Sequence, residues 1–238
     1  MQDGVLPALA LAAFAGLSIP VGAWLGSRMY LFPTWLNDEF RHTIIAFGGG
    51  ALLAAVALVL VPEGVQYVSP VMAMLAFCAG GGVFGLVDRA LEKRGGHGAQ
   101  FMAMLLDYIP EAMALGALMS DAMGVAVLMA GLIMVQNLPE GFNAFREMEG
   151  GARRKRRSLF WLFVLVVPLG PLAAWLGVSV LASNTAILGA IMLFASGGII
   201  YLIFEDVAPQ VPLERHWSPP LGAVAGFALG LAGSLVAA

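Results

Sequence analysis

Apolar residues come in eight long runs, and the charged residues collect in the short stretches between them. The runs cover residues 5 to 26, 42 to 62, 69 to 90, 101 to 119, 122 to 145, 159 to 181, 184 to 206 and 219 to 237. A helix needs about 20 residues to cross a hydrocarbon layer of roughly 30 Å, so each run predicts a transmembrane helix. Segments of alternating apolar and polar residues, which a membrane β-barrel requires, are absent. The chain therefore reads as an all-α integral membrane protein with eight transmembrane helices, and residues 1 to 238 as a single transmembrane domain.

Composition agrees with this pattern. The chain is 60% hydrophobic and 11% charged, with a mean hydropathy of +0.88, well outside the range of soluble domains of this size. The first run has no basic stretch before it and no small-residue cleavage site, so it reads as a retained helix and not as a signal peptide. Cys78 is the one cysteine and lies within an apolar run, where packing is the expected role. A disulfide within the chain is excluded.

Charge supplies the orientation. All 12 basic residues lie in odd-numbered loops. Arg28 and Arg41 fall after the first segment, Arg89, Lys93 and Arg94 after the third, Arg146 and Arg153 to Arg157 after the fifth, and Arg215 after the seventh. The positive-inside rule then places the odd loops in the cytoplasm and both termini outside it, as a multi-pass protein of the inner (plasma) membrane. The net charge of -3 hides this asymmetry and gives no argument for nucleic acid as a partner. The run Arg153 to Arg157 reads as a topology signal with attraction to anionic headgroups, and Gly150 and Gly151 beside it as a flexible hinge.

Candidate chemistry concentrates in the fourth and fifth segments. They carry two copies of one pattern, D-Y-I-P-E-A at Asp107 to Ala112 and Q-N-L-P-E-G at Gln136 to Gly141. Four-residue spacing puts Asp107 with Glu111, and Gln136 with Glu140, on one helical face. Asp107 and Glu111 lie about 10 and 16 Å from the inner end of their helix, and Glu140 and Gln136 about 9 and 15 Å from the same side, at 1.5 Å per residue. In an antiparallel pair Asp107 therefore faces Glu140, and Glu111 faces Gln136. Pro110 and Pro139 cannot bond the carbonyls of Leu106 and Val135, and a proline interruption recurring in opposed segments points to a transporter's midplane site.

Three carboxylates at this depth, without a basic residue, call for a cation. An ionised side chain at a helix centre costs roughly 2.5 to 3.5 kcal/mol on insertion scales and is a functional candidate by default. Oxygen donors of this kind suit Mn²⁺, Mg²⁺ or Fe²⁺ and can accept Zn²⁺; with no Cys or His in the cluster, a soft-metal or dedicated zinc site is disfavoured. Metal would compete with protons held by like-charged carboxylates. A proton relay without metal is the other reading of the same residues.

Elsewhere the readings stay open. Glu63, at the outer end of the second helix, is a solvated helix end or a cation-attracting entrance. Glu205 and Asp206, near the inner end of the seventh, are a solvated pair or an exit-side cation station. His42 and His97 are isolated. The glycine runs at Gly48 to Gly50, Gly80 to Gly82 and Gly197 to Gly198 suit close helix approach. No nucleophile with a base, cofactor fingerprint or H-E-x-x-H pattern suggests an enzyme, and no prosthetic group is expected.

In this order, the x-x-I-P-E of the fourth helix, Q-N-L-P-E-G of the fifth, V-P-L-G of the sixth and E-D-V-A-P-Q of the seventh resemble the ZIP metal-transporter family, most closely its bacterial GufA-like branch. The resemblance spans essentially the whole chain. It implies an inverted repeat of helices 1–3 and 6–8 around helices 4 and 5, with divalent metal (Zn, Fe, Mn or Cd) as substrate moving toward the cytoplasm by an elevator-like motion. The partners it implies are the metal ion, the bilayer and a second copy in a homodimer. Its metal site maps onto Asp107, Glu111, Gln136 and Glu140, with Asn137 as a further candidate ligand, and its exit-side ligands onto Glu205 and Asp206, with Asp88 nearby. The family usually has histidine at Asp107, asparagine at Tyr108 and glutamate at Val167, and this branch often has aspartate at Asn137. One metal at the centre is therefore expected instead of two. The loss of those ligands motivates the alternative, a non-transporting ZIP-like membrane protein with a sensing or assembly role.

Overall fold

Long apolar runs bounded by glycine, proline or charge leave the backbone no hydrogen-bonding solution in hydrocarbon other than the helix, and the chain follows that constraint throughout. A computed structural model describes residues 4–28, 34–93, 98–151, 156–211 and 217–237, and among them there is no β-strand. Eight helices are long and apolar enough to cross a membrane: α1 (Val5–Arg28), α2 (Glu39–Gly64), α3 (Pro70–Leu91), α4 (Ala99–Leu118), α5 (Met123–Gly150), α6 (Arg156–Leu181), α7 (Thr185–Gln210) and α8 (Ser218–Ala237). Each matches one apolar run. The helices overshoot the runs mainly at the basic ends, where charged residues continue the helix beyond hydrocarbon. His97 and the residues Arg153, Arg154 and Lys155 of the basic run lie outside the described residues.

Local sequence sets the helix ends. Ser69 caps α3, its Oγ accepting from the Met72 N–H at 3.3 Å, and Pro70 takes the first helical position, where a missing N–H costs nothing. Inside the spans proline is mostly accommodated within the helix, the exception being Pro168, which lies in a turn between Val166 and Leu169 that interrupts α6. Pro110 and Pro139 sit within continuous helix, so the expected interruption of α4 and α5 is limited to the lost hydrogen bond. Pro62 and Pro209 each follow a wide turn, in which Val61 N–H bonds the Val56 carbonyl and Ala208 N–H the Ile203 carbonyl, five residues back. Such a turn takes up the register shift that a residue with no N–H imposes on the ladder. The helix of α5 runs through Gly151, so the expected hinge at Gly150 and Gly151 is instead helical. Arg156, at the start of α6, forms an ion pair with Glu149 near the end of α5.

Packing brings α2 against α8, α3 against α7, α1 against α5 and α4 against α6, while α4 and α5 pack on each other at the centre. Reciprocal glycines make four of these crossings close. A Cβ on Gly50 would lie 2.0 Å from the Ala223 oxygen and one on Gly226 2.0 Å from that of Phe47; for α3 and α7 the pair is Gly80 (1.8 Å, Phe194) and Gly197 (1.9 Å, Phe77). Gly22 and Gly141 serve α1 and α5, at 2.0 and 2.4 Å, and Gly116 and Gly177 serve α4 and α6, at 2.1 and 2.0 Å. Backbone contact of this kind is how helices associate where no hydrophobic effect drives them together. More than half of α2, α4, α5 and α7 is buried, against less than a fifth of α3 and α8. Cys78 is on the exposed face of α3, so the expectation that it packs inside is corrected: α3 is peripheral and turns that side outward.

Gly80 and Gly82 give a paired test on one helix, since a Cβ at Gly82 meets nothing within 4 Å. Gly80→Leu is expected to destabilise by at least about 1–3 kcal/mol through overpacking, whereas Gly82→Leu is expected to be neutral or to stabilise by up to about 1 kcal/mol through helix propensity. Thermal unfolding in detergent measures both; equal midpoints for the two variants would contradict the packing described.

Candidate functional site

Two polar stripes face each other along the inward sides of α4 and α5. On α4, Gln100, Asp107 and Glu111 stand at i, i+7 and i+11; on α5, Gln136, Glu140, Asn143 and Glu147 stand at i, i+4, i+7 and i+11, spacings that keep each set on one face. Both contacts that the antiparallel register calls for are present. Gln136 Nε2 donates to Glu111 Oε2 at 2.5 Å, and the Asp107 and Glu140 carboxyls lie close enough to interact directly. Asp107 Oδ1 also accepts the Tyr108 N–H at 2.7 Å.

The group is deeply buried and short of partners. Asp107 is 2% exposed and Glu111, Gln136 and Asn137 are 0%. No donor reaches Glu111 Oε1, Gln136 Oε1, either oxygen of Glu140, Asn137 Oδ1 or Asn143 Oδ1, and no acceptor reaches Asn137 Nδ2. A neutral polar atom buried this way costs about 1–3 kcal/mol, and more if charged. Among the described residues no positive side chain acts on Asp107, Glu111 or Glu140. Nor do three His, Cys, Asp or Glu side chains converge, among the described residues, as a ready-made metal-holding group. The ligand candidates are drawn into two pairs, acid with acid and acid with amide.

Asp107 and Glu140 wall a cavity of about 50 Å³, which Gln100 and Asn143 continue toward the basic end of the bundle and Asp206 and Gln210 close from α7. Asp206 and Glu205, expected to act together, are separated by the helix turn. Asp206 lines the cavity, while Glu205 is exposed. Asp88 is engaged elsewhere, accepting the Tyr201 hydroxyl at 2.9 Å. His42 Nδ1 pairs with the Gln210 carbonyl, and Gln210 Nε2 donates to the Asp206 carbonyl at 2.5 Å, which ties α2 to the wide turn of α7. Glu63 is half-buried at the far end of α2, where Gln66 Nε2 donates to its Oε2 at 3.4 Å.

No protein-family model matches this chain, and no curated protein matches it in sequence.

Tyr108 points the other way from the cluster. Its ring is fully buried, and its hydroxyl donates to the Val167 carbonyl at 3.3 Å, with the Ala12 carbonyl at 3.5 Å. The Val167 oxygen is one that Pro171 cannot bond, four residues on. Room for the phenol exists because positions 16 and 170 are glycine, where a Cβ would sit 2.1 and 1.9 Å from the hydroxyl oxygen. The tyrosine thus fills the space between α1 and α6 beside the cluster and adds a second donor to a carbonyl that also accepts the Gly170 N–H at 3.3 Å.

Three residues that the sequence reading passed over belong to the site or hold it. Asn143 and Gln100 line the cavity, and each lies on a stripe already marked by a carboxylate, so periodicity carried the signal. Glu147 is the third. Its carboxylate accepts the N–H groups of Gly98 (2.8 Å), Ala99 (3.1 Å) and Gln100 (3.0 Å), taking the first free donors of α4 at the positive end of its dipole. Gly98, at φ 116°, adopts a left-handed conformation that presents these donors. One side chain of α5 thereby fixes the register of α4, and with it the opposition of Asp107 to Glu140.

Glu147→Ala is expected to cost about 1–3 kcal/mol, because three donors lose a charged acceptor, and to accelerate amide hydrogen exchange at residues 98–100. Glu147→Gln is expected to recover part of the loss. Unchanged exchange in the alanine variant would show that the three bonds do not hold the α4 terminus.

Proposed function

We propose that this chain is a transporter of divalent transition-metal ions, built as in the ZIP family, with the Asp107, Glu111, Gln136 and Glu140 side chains taking one metal ion between α4 and α5. The observation that carries this reading is the set of buried carboxylate and amide oxygens on the two facing stripes, with no donor and no positive side chain among the described residues to satisfy them. A cation supplies what they lack. Oxygen-only donors suit Mn²⁺ and Fe²⁺ and tolerate Zn²⁺ or Cd²⁺. Binding requires the Gln136 amide to turn its oxygen inward and the Asp107–Glu140 pair to give up any shared proton, so metal uptake weakens as pH falls.

Two features of the helix arrangement support the transporter architecture. Exchanging α1, α2, α3 and α4 with α6, α7, α8 and α5 maps the packing pairs onto one another: α2 with α8 onto α7 with α3, and α1 with α5 onto α6 with α4. The reciprocal glycines follow the same exchange, the pattern expected of an inverted repeat. The cavity also runs from the carboxyls toward the basic ends of the helices, which the positive-inside rule assigns to the cytoplasm. In this reading the protein sits in the plasma (inner) membrane with both termini outside, works as a carrier and not as an enzyme, and binds metal as cargo.

One observation favours a second reading, a non-transporting sensor or assembly protein of the same architecture: the carboxylates rest in two pairs and do not converge as they stand. Uptake of Mn²⁺, Fe²⁺ or Zn²⁺ into proteoliposomes separates the two. The carrier predicts metal-dependent flux that falls as pH is lowered; no flux at any pH for any of these metals leaves the second reading. Glu111→Gln and Glu140→Gln are each expected to abolish metal-dependent thermal stabilisation, with Glu63→Gln leaving it intact. Metal stabilisation persisting in the first two variants would mean that the site is misplaced.

A further inference from the structure

We propose that Asn143, with Gln100 opposite it, forms a weak station for a partly hydrated divalent cation between the Asp107–Glu140 carboxyls and Asp206. The inference rests on the transporter reading and goes beyond it, since it concerns the ion after it leaves the carboxylates. Asn143 lies one turn from Glu140 toward the basic end, about 4.5 Å along the axis, and both side chains line the same cavity. Its Oδ1 is buried with no donor, although the cavity beside it is large enough for ligand or water. The volume of about 50 Å³ exceeds the 10–15 Å³ that a single water requires, so an ion can stay there with part of its hydration shell.

The chemistry of the lining selects the occupant. Amide oxygens from Asn143 and Gln100 and carboxylates at either end favour a hard, oxygen-seeking cation, and neither imidazole nor thiolate lines the cavity among the described residues. Neutral amides also bind more weakly than carboxylates. An ion crossing a membrane protein needs sites strong enough to draw it forward and weak enough to release it. A carboxylate at position 143 would hold the ion, and an alkyl group would make it shed the remaining water without compensation.

Mn²⁺ uptake into proteoliposomes and Mn²⁺-dependent thermal stabilisation, measured together on the full-length protein, test the station. Asn143→Leu is expected to keep the Mn²⁺ stabilisation, which reads the carboxylate cluster, while its maximal uptake rate falls roughly tenfold. Asn143→Asp is expected to lower the half-saturating Mn²⁺ concentration and also the maximal rate. Gln100→Leu is expected to show a milder form of the leucine effect. Wild-type uptake rates in Asn143→Leu would overturn the station and leave the transporter reading standing, as would a fall in rate that only tracks a loss of Mn²⁺ stabilisation. Should the leucine variant fail to fold, unchanged half-saturation and maximal rate in Asn143→Asp would overturn it equally. A wild-type protein without uptake overturns the transporter reading, and the station with it.

Discussion

Negative charge without a counter-charge, held between two helices in a region that excludes water, is the constraint on which the rest of the structure depends. Asp107, Glu111 and Glu140 are placed where an ion pair would ordinarily be required. Arg28, Arg89 and Arg146 lie at or beyond the ends of their spans, together with the remaining described basic residues. The fold answers by other means. It pairs one carboxyl with another, gives Glu111 the Gln136 amide, and anchors the two helices to each other through Glu147. These bonds hold the groups in register while leaving several oxygens without a donor. Complete satisfaction would stabilise the bundle further and leave a cation nothing to do.

The surrounding helices make this arrangement stable enough to persist. Apolar burial contributes little to helix association within lipid, so the bundle relies on close backbone contact, and reciprocal glycines at four crossings provide it. Those crossings tie α4 to α6 and α5 to α1, leaving the facing sides of α4 and α5 free for polar residues. Proline acts locally in the same design. At Pro62 and Pro209 a wide turn absorbs it, and the Val167 carbonyl that Pro171 cannot bond takes the Gly170 N–H and the Tyr108 hydroxyl instead. In α4 and α5 the helix continues past proline, which keeps the carboxylates on rigid elements.

Much of this was legible in the residues themselves. Eight spans follow from apolar run length, because hydrocarbon thickness sets the period. The pairing of Asp107 with Glu140 and of Glu111 with Gln136 follows from helical rise in an antiparallel hairpin. Contacts that depend on tertiary placement were not legible. Glu205 and Asp206 are neighbours in sequence and equally acidic, and only the packing of α7 decides that one faces the cavity and the other the exterior. Glu147 carried no signal in the sequence, because its role requires the left-handed Gly98 that precedes α4. Cys78 sits in a strongly apolar run, yet α3 is peripheral and turns it outward.

Resting pairs and an open cavity fit together physically. A preassembled ring of three carboxylates with no ion would carry the full mutual repulsion of its members, large in a medium of low dielectric constant. Splitting them into an acid pair and an acid–amide pair lowers that cost, and under the proposed carrier function an arriving divalent cation would reverse it by turning one amide and displacing a proton. The reorganisation required is small because the α4–α5 register is already fixed by Glu147. Under the same proposal, proton release on binding would make pH a direct control on occupancy. The proposed station of weaker amide oxygens on the basic side of the carboxyls would give the ion a route out that does not repeat the strong binding of the first step.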